Sequence, residues 1–134
     1  VSSAPRRLAT GRGDVGGDEM AVTETEFHAK AEVSLQQIFE SLDASNLDCV
    51  DDLGYEDGVL TVKLEGGRTF VINKHYVTRQ IWYASPVSGA LYFNLQADQT
   101  WRTKDAMELG KCFLQDLIQV CPEAQELDPA KFYA

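Results

Sequence analysis

The spacing of hydrophobic positions changes twice along the chain, from a helical period to alternation and back. Phe27, Ala31, Leu35, Ile38, Phe39 and Leu42 fall within about 120° of arc at 100° per residue, the width of one buried stripe. Thr23 precedes Glu26 by three residues, the capping-box arrangement, so a helix is predicted from Glu24 to Asp43. Alternating segments follow, Asp48 to Tyr55, Val59 to Leu64 and Arg68 to Asn73, separated by Asp57-Gly58 and Gly66-Gly67. Both dipeptides suit tight antiparallel turns. Gln80 to Ala84 reads as a fourth strand, Leu91 to Leu95, beyond Pro86 and Gly89, as a fifth, and Trp101 as a short sixth. The helical period then returns in Leu109, Phe113, Leu114, Leu117 and Ile118, with Asp105 as the predicted cap, Glu108 at the third helical position and Pro122 as the stop.

Helix, antiparallel meander, helix implies an α+β fold: a two-layer sandwich with both helices on one face of a sheet of five to six strands. With 134 residues, 44% of them hydrophobic, the chain holds one core and no second domain. Residues 1–20 have linker or leader composition, with Arg6, Arg7 and Arg12 suiting a transit-peptide remnant; residues 21–121 form the domain and 122–134 a tail. Gly11, Gly13 and Gly16 satisfy the spacing of a dinucleotide fingerprint, but no strand precedes them. Arg12-Gly13-Asp14 is likewise set aside as an adhesion tripeptide. If Leu60, Val62, Leu64, Phe70, Ile72, Ile81 and Tyr83 face the helices, alternation turns Lys63, Val71, Asn73, Gln80 and Trp82 to the open side. A tryptophan there calls for a partner.

Charge sharpens this picture because it is local. Residues 18–57 carry twelve Asp or Glu and one Lys, a net of −11, while nine acids and eleven bases elsewhere net +2, giving −9 overall. Such a balance disfavours nucleic acid and anionic lipid as partners, and no apolar run approaches the roughly 18 to 20 residues of a membrane span. Glu32, Glu40 and Asp43 line the edge of the helical stripe; Glu24, Glu26, Asp48, Asp51 and Asp52 extend the row. Each like-charge helical pair costs roughly 0.2–0.5 kcal/mol. Oxygen-only ligands on a surface suit hard cations at modest affinity, although a solvated face that binds nothing has the same composition. His28 is a candidate imidazole ligand, or else a packed histidine, and His75 reads as a surface loop residue. An EF-hand over Asn46 to Asp57 fails because Asp51 occupies the glycine position. Cys49, Cys112 and Cys121, odd in number and without a CxxC pair, suggest neither a disulfide framework nor a thiolate zinc site; a reducing compartment fits them best, with Cys49 as a small core residue. No nucleophile-base pair is visible.

Glu26-Phe27-His28 opening the first helix, Asp57 to Val62, Val71-Ile72-Asn73-Lys74, Gln80-Ile81-Trp82, Ser85 to Gly89 and Trp101, in this order, resemble the frataxin family over about residues 23 to 120. The resemblance implies an iron-binding protein of the mitochondrial matrix that promotes iron–sulfur cluster assembly on a complex of cysteine desulfurase and scaffold protein. Asn73, Gln80 and Trp82 match positions through which the family contacts that complex, and Lys63 shares their face. The alternative it implies is a ferroxidase that oxidises Fe(II) at clustered carboxylates and stores iron in oligomers formed from a monomer. Thr78 and Tyr92 depart from the family pattern, so contacts made there by other members do not transfer; Lys74 and Arg79 are the nearby positive charges that remain.

Overall fold

The computed structural model describes residues 22–132. The expected leader and its Gly and Arg motifs, in residues 1–20, lie outside the described residues. α1 spans Glu24–Ser45, followed by β1 (Val50–Glu56), β2 (Val59–Leu64), β3 (Thr69–His75), β4 (Gln80–Ser85), β5 (Gly89–Leu95), β6 (Trp101–Arg102) and α2 (Leu109–Val120). The six strands form one antiparallel sheet in chain order. The α+β sandwich expected from the alternating periods is therefore the observed one.

The Thr23 hydroxyl accepts from the Glu26 N–H at 3.0 Å, and the Glu26 carboxylate accepts from the Thr23 N–H at 3.1 Å. Asp57 and Gly58 both adopt positive φ, 53° and 77°, as the tightest hairpin turn requires. A side chain at Gly58 would also meet Lys74, whose Cε lies 2.7 Å from the site of a Cβ. The seven residues expected to face inward from β2, β3 and β4 are buried with Phe27, Ala31, Leu35, Ile38, Leu42, Phe113 and Leu117. Trp101 is 1% exposed, and its indole N–H donates to Ser34 Oγ at 2.9 Å, satisfying two polar groups inside the core.

Two local expectations fail. Asp105 does not cap α2, because Arg102 and Glu108 form an isolated antiparallel bridge around a turn in which the Thr103 carbonyl accepts from Ala106 N–H. The chain is thus folded into a turn until Glu108, which is the cap without a side-chain capping bond. The thiols also differ: Cys49 and Cys121, 72 positions apart, form a disulfide. A single bridge between distant residues leaves no spacing signature, which is why cysteine counting misses it. Beyond Pro122, short helical turns over Pro122–Glu126 and Pro129–Lys131 bring Ala124 and Phe132 into the core.

Candidate functional site

Two surfaces carry the predicted residues. The first is the seam where α1 crosses the sheet edge formed by β1. Val50, Leu53 and Tyr55 pack against the core, a spacing of three and then two that regular alternation forbids. A register shift between Val50 and Asp52 resolves it, leaving Asp51 as the extra residue of a bulge. Asp52 lies opposite Lys63, so these two face the open side of the sheet, while Glu32, Glu40 and Asp43 stand exposed on α1.

The carboxylates of this ridge are held separately. Glu32 accepts from the Tyr55 hydroxyl at 2.5 Å and lies 3.5 Å from Lys74 Nζ. Burial, then the hydrogen bond to Glu32, pushes the Tyr55 phenol well above its ordinary range, so Tyr55 stays a donor rather than a phenolate ligand. Glu40 accepts from Gln36 at 3.1 Å, Glu26 is engaged in the helix cap, and Glu24 lies 3.7 Å from His28. The His28 ring is wedged between Phe27 and Tyr76, a packed position whose Nε2 faces Glu24. Asp43, Asp48 and Asp51 are exposed. A cleft of about 450 Å³ between α1 and the sheet is lined by Glu32, Gln36, Tyr55, Asp57, Lys74 and Tyr76. Among the described residues, the three metal-ligand-type side chains whose donor atoms converge within 4.8 Å are Cys49, Cys121 and Glu123, outside this row. The ridge is therefore an open run of hard oxygen donors whose geometry would adjust around a hydrated cation.

The second surface is the open sheet face. Register places Val59, Asn73, Trp82 and Tyr92 in one row across β2 to β5. Gln80 stands in the next row between His75 and Asn94. Trp82 is half-buried by its neighbours alone: the His75 ring stacks on it at 3.8 Å and 5°, and Tyr92 meets its edge at 5.3 Å. The indole N–H donates to Gln80 Oε1 at 3.1 Å. Lys63 lies two rows from Trp82 on the same face.

His75 is thus a member of this face and not a loop residue. Continuing the alternation of Val71 and Asn73 by one step would have found it. Lys74, being one residue out of phase, points to the helix side and is tied to Glu32, so it does not supply charge here. Arg79 donates to the Val22 carbonyl at 2.7 Å.

Behind the face, Asp116 of α2, 5% exposed, accepts from the hydroxyls of Tyr83 (2.7 Å), Ser85 (2.8 Å) and Ser88 (2.9 Å). Burial, reinforced by this carboxylate, holds the Tyr83 phenol far above its ordinary range. The Ser85 hydroxyl in turn accepts from the N–H groups of Val87 and Ser88, fixing the β4–β5 turn. Serines in a turn read only as turn formers; nothing in the sequence joins them to Asp116.

An acidic helix–strand ridge beside an aromatic open face, on a two-helix sandwich with a six-stranded meander, defines a small α+β domain of the two-layer class. Residues 20–123 match the frataxin-like domain, and the chain belongs to the frataxin family. It is 36% identical over 102 residues to "Frataxin homolog, mitochondrial" of Saccharomyces cerevisiae, covering 74% of this chain and 59% of that protein. It is 34% identical over 111 residues to "Frataxin, mitochondrial" of Arabidopsis thaliana, covering 78% and 58%. "Iron-sulfur cluster assembly protein CyaY" of Pseudomonas syringae pv. syringae is 36% identical over 91 residues, covering 67% and 80%. The matched region is thus less than two thirds of the yeast and plant relatives' length. Trimeric yeast frataxin, solved in complex with ferrous iron, superposes with a TM-score of 0.62 at 28% identity, covering 69% of this chain and 86% of that one.

Proposed function

We propose that this chain promotes iron–sulfur cluster assembly as a non-covalent effector. Its open face, through Asn73, Gln80, Trp82 and the more distant Lys63, docks on a complex of cysteine desulfurase and scaffold protein and speeds sulfur transfer. The observation that carries the reading is Trp82, set by the His75 stack on a sheet face that no helix among the described residues covers, in a chain of this family. Aromatic side chains already held in place lose little entropy on docking, and tryptophan is the type most enriched in interface hot spots. Ferrous iron is the cargo of the ridge, bound weakly by Glu24, His28, Glu32, Glu40, Asp43, Asp48 and Asp51; of the acids that extend the row, Glu26 is held in the helix cap and Asp52 is turned to the open face. Support comes from the relatives: one is named an iron–sulfur cluster assembly protein and another was solved as an iron-bound trimer. The names of the yeast and plant relatives likewise support a mitochondrial location, which we assign to the matrix.

Ferroxidation stands second. Exposed oxygen ligands favour Fe(III) over Fe(II), so slow oxidation follows from the donor set alone, but the ridge carboxylates do not converge on a preformed centre. The test is desulfurase turnover in the purified assembly complex without oxygen, with the parent or Trp82→Ala. Acceleration by the parent and its loss in the variant, with iron binding unchanged, is the expected result. No acceleration by the parent would overturn the effector reading and move the weight to iron handling by the ridge.

A further inference from the structure

Where β1 begins, Cys49 Sγ, Cys121 Sγ and a carboxylate oxygen of Glu123 lie within 4.8 Å of one another. The two Cα atoms are 6.0 Å apart. Glu123 is aimed at this point by the Cys49 N–H, which donates to its Oε1 at 3.0 Å, leaving Oε2 for another partner. Cys121 is fully buried, Cys49 is half-buried and Glu123 is exposed, so the cluster opens to solvent on its carboxylate side. While the disulfide is intact, its sulfurs are poor ligands. Once it is reduced, two thiolates and a carboxylate remain on backbone already at the right separation.

We infer that the reduced Cys49–Cys121 pair and Glu123 form a binding site for a borderline-soft divalent cation such as Zn²⁺, with solvent in the fourth position. Two sulfur donors and one carboxylate suit tetrahedral Zn²⁺, at about 2.3 Å from sulfur and about 2.0–2.2 Å from oxygen. Its two thiolates set it apart from the carboxylate-dominated ridge, so the chain keeps soft and hard cations apart. The site is gated by thiol–disulfide exchange with a dithiol reductant. A reductant thiolate attacks Sγ of Cys49, the less buried of the two, and Cys121 Sγ departs with the bond's electron pair. The reductant's second thiol then displaces Cys49 thiolate and leaves as its own disulfide. Two protons are released and the cation takes both protein thiolates; oxidation reverses the sequence and expels the ion. None of this depends on the docking role of the sheet face.

Co²⁺ titration of the full chain, oxidised and after phosphine reduction, tests the site, because only sulfur ligation gives a thiolate-to-cobalt charge-transfer band. The expected result is such a band at one equivalent in the reduced protein, displaced by Zn²⁺ and absent from the oxidised protein. Glu123→Gln retains an acceptor for the Cys49 N–H while weakening the ligand, and should lower affinity at least about tenfold; Cys49→Ser should abolish the band. Should Cys49→Ser fold poorly, the redox comparison and Glu123→Gln decide alone. No band in the reduced parent, a band surviving in Cys49→Ser, or unchanged affinity in Glu123→Gln would each overturn the site.

Discussion

Along α1 and β1 the acids stand out from the surface one at a time, whereas across β3, β4 and β5 the rings of His75, Trp82 and Tyr92 lean on one another. A hydrated cation needs ligands that can rearrange, and separate carboxylates provide that at the cost of affinity. A protein partner is met more cheaply by side chains already in position, and stacked rings provide that. Both surfaces are nevertheless anchored to α2, by different chemistry. Cys121, at its C-terminal cap, ties down the start of β1 covalently. Asp116, one turn and a little earlier, holds β4 and its turn through three hydroxyls. If the surfaces act separately, cutting one anchor should damage one surface and spare the other.

The larger effect is expected at the ridge. A cross-link over 72 positions removes loop entropy from the unfolded chain worth about 4 kcal/mol. Cys49→Ser should therefore lower unfolding free energy by about that amount in denaturant titrations under oxidising conditions. Iron binding should weaken, while desulfurase activation per folded molecule should hold. Equal losses of both activities would show that the two surfaces are one cooperative unit.

The complementary cut is Asp116→Ala. It leaves the Ser85 and Ser88 hydroxyls without their acceptor and Tyr83 with only the Cys112 carbonyl at 3.5 Å, and a single buried unsatisfied donor costs about 1–3 kcal/mol. Because Ser85 and Ser88 regain water near the turn, about 3 kcal/mol in total is expected. The variant should also loosen the strand carrying Trp82. Since Trp101 is 1% exposed, acrylamide quenching reads Trp82, and it should rise in Asp116→Ala but not in Cys49→Ser.

Sequence patterning and tertiary chemistry divide at recognisable residues. The α1 stripe, the inward set of β2 to β4 and the Asp57-Gly58 turn were legible because each follows from a local period or a required φ. So was Trp82 on the open face, since it stands between Ile81 and Tyr83, both of which alternation turns inward. Asp105 was misread because capping signals are local, while the Arg102–Glu108 bridge that delays α2 joins residues on either side of the turn. His75 needed only the strand to run two residues further than Asn73. Lys74 was assigned to the wrong face by proximity in sequence, although the same alternation that exposes Asn73 turns Lys74 toward Glu32. The Cys49–Cys121 bridge and the hydroxyls on Asp116 were not legible at all, since nothing but the folded topology brings 49 to 121 or 85 to 116.

The finest distinction concerns Glu32, the ridge carboxylate most firmly held. Tyr55→Phe removes its short hydrogen bond but leaves Lys74 in place, so about 1 kcal/mol of stability should be lost near neutral pH. Released from the phenol, Glu32 should bind ferrous iron a few-fold more tightly in anaerobic calorimetry. The pH dependence has a definite sign. The Tyr55 phenol titrates above its ordinary value of 10.0 in the folded protein, so the folded state keeps a proton that the unfolded chain releases above about pH 10. Stability from this group is therefore complete below pH 10 and lost as pH rises toward the folded value. Tyr55→Phe cannot lose it, and the stability gap between parent and variant should narrow at about pH 11 relative to neutral pH. Tyr83, raised by burial and Asp116, remains in both proteins and cancels from the difference. A gap that stays constant into alkali would mean that Tyr55 does not hold Glu32, whose restraint would then rest on Lys74.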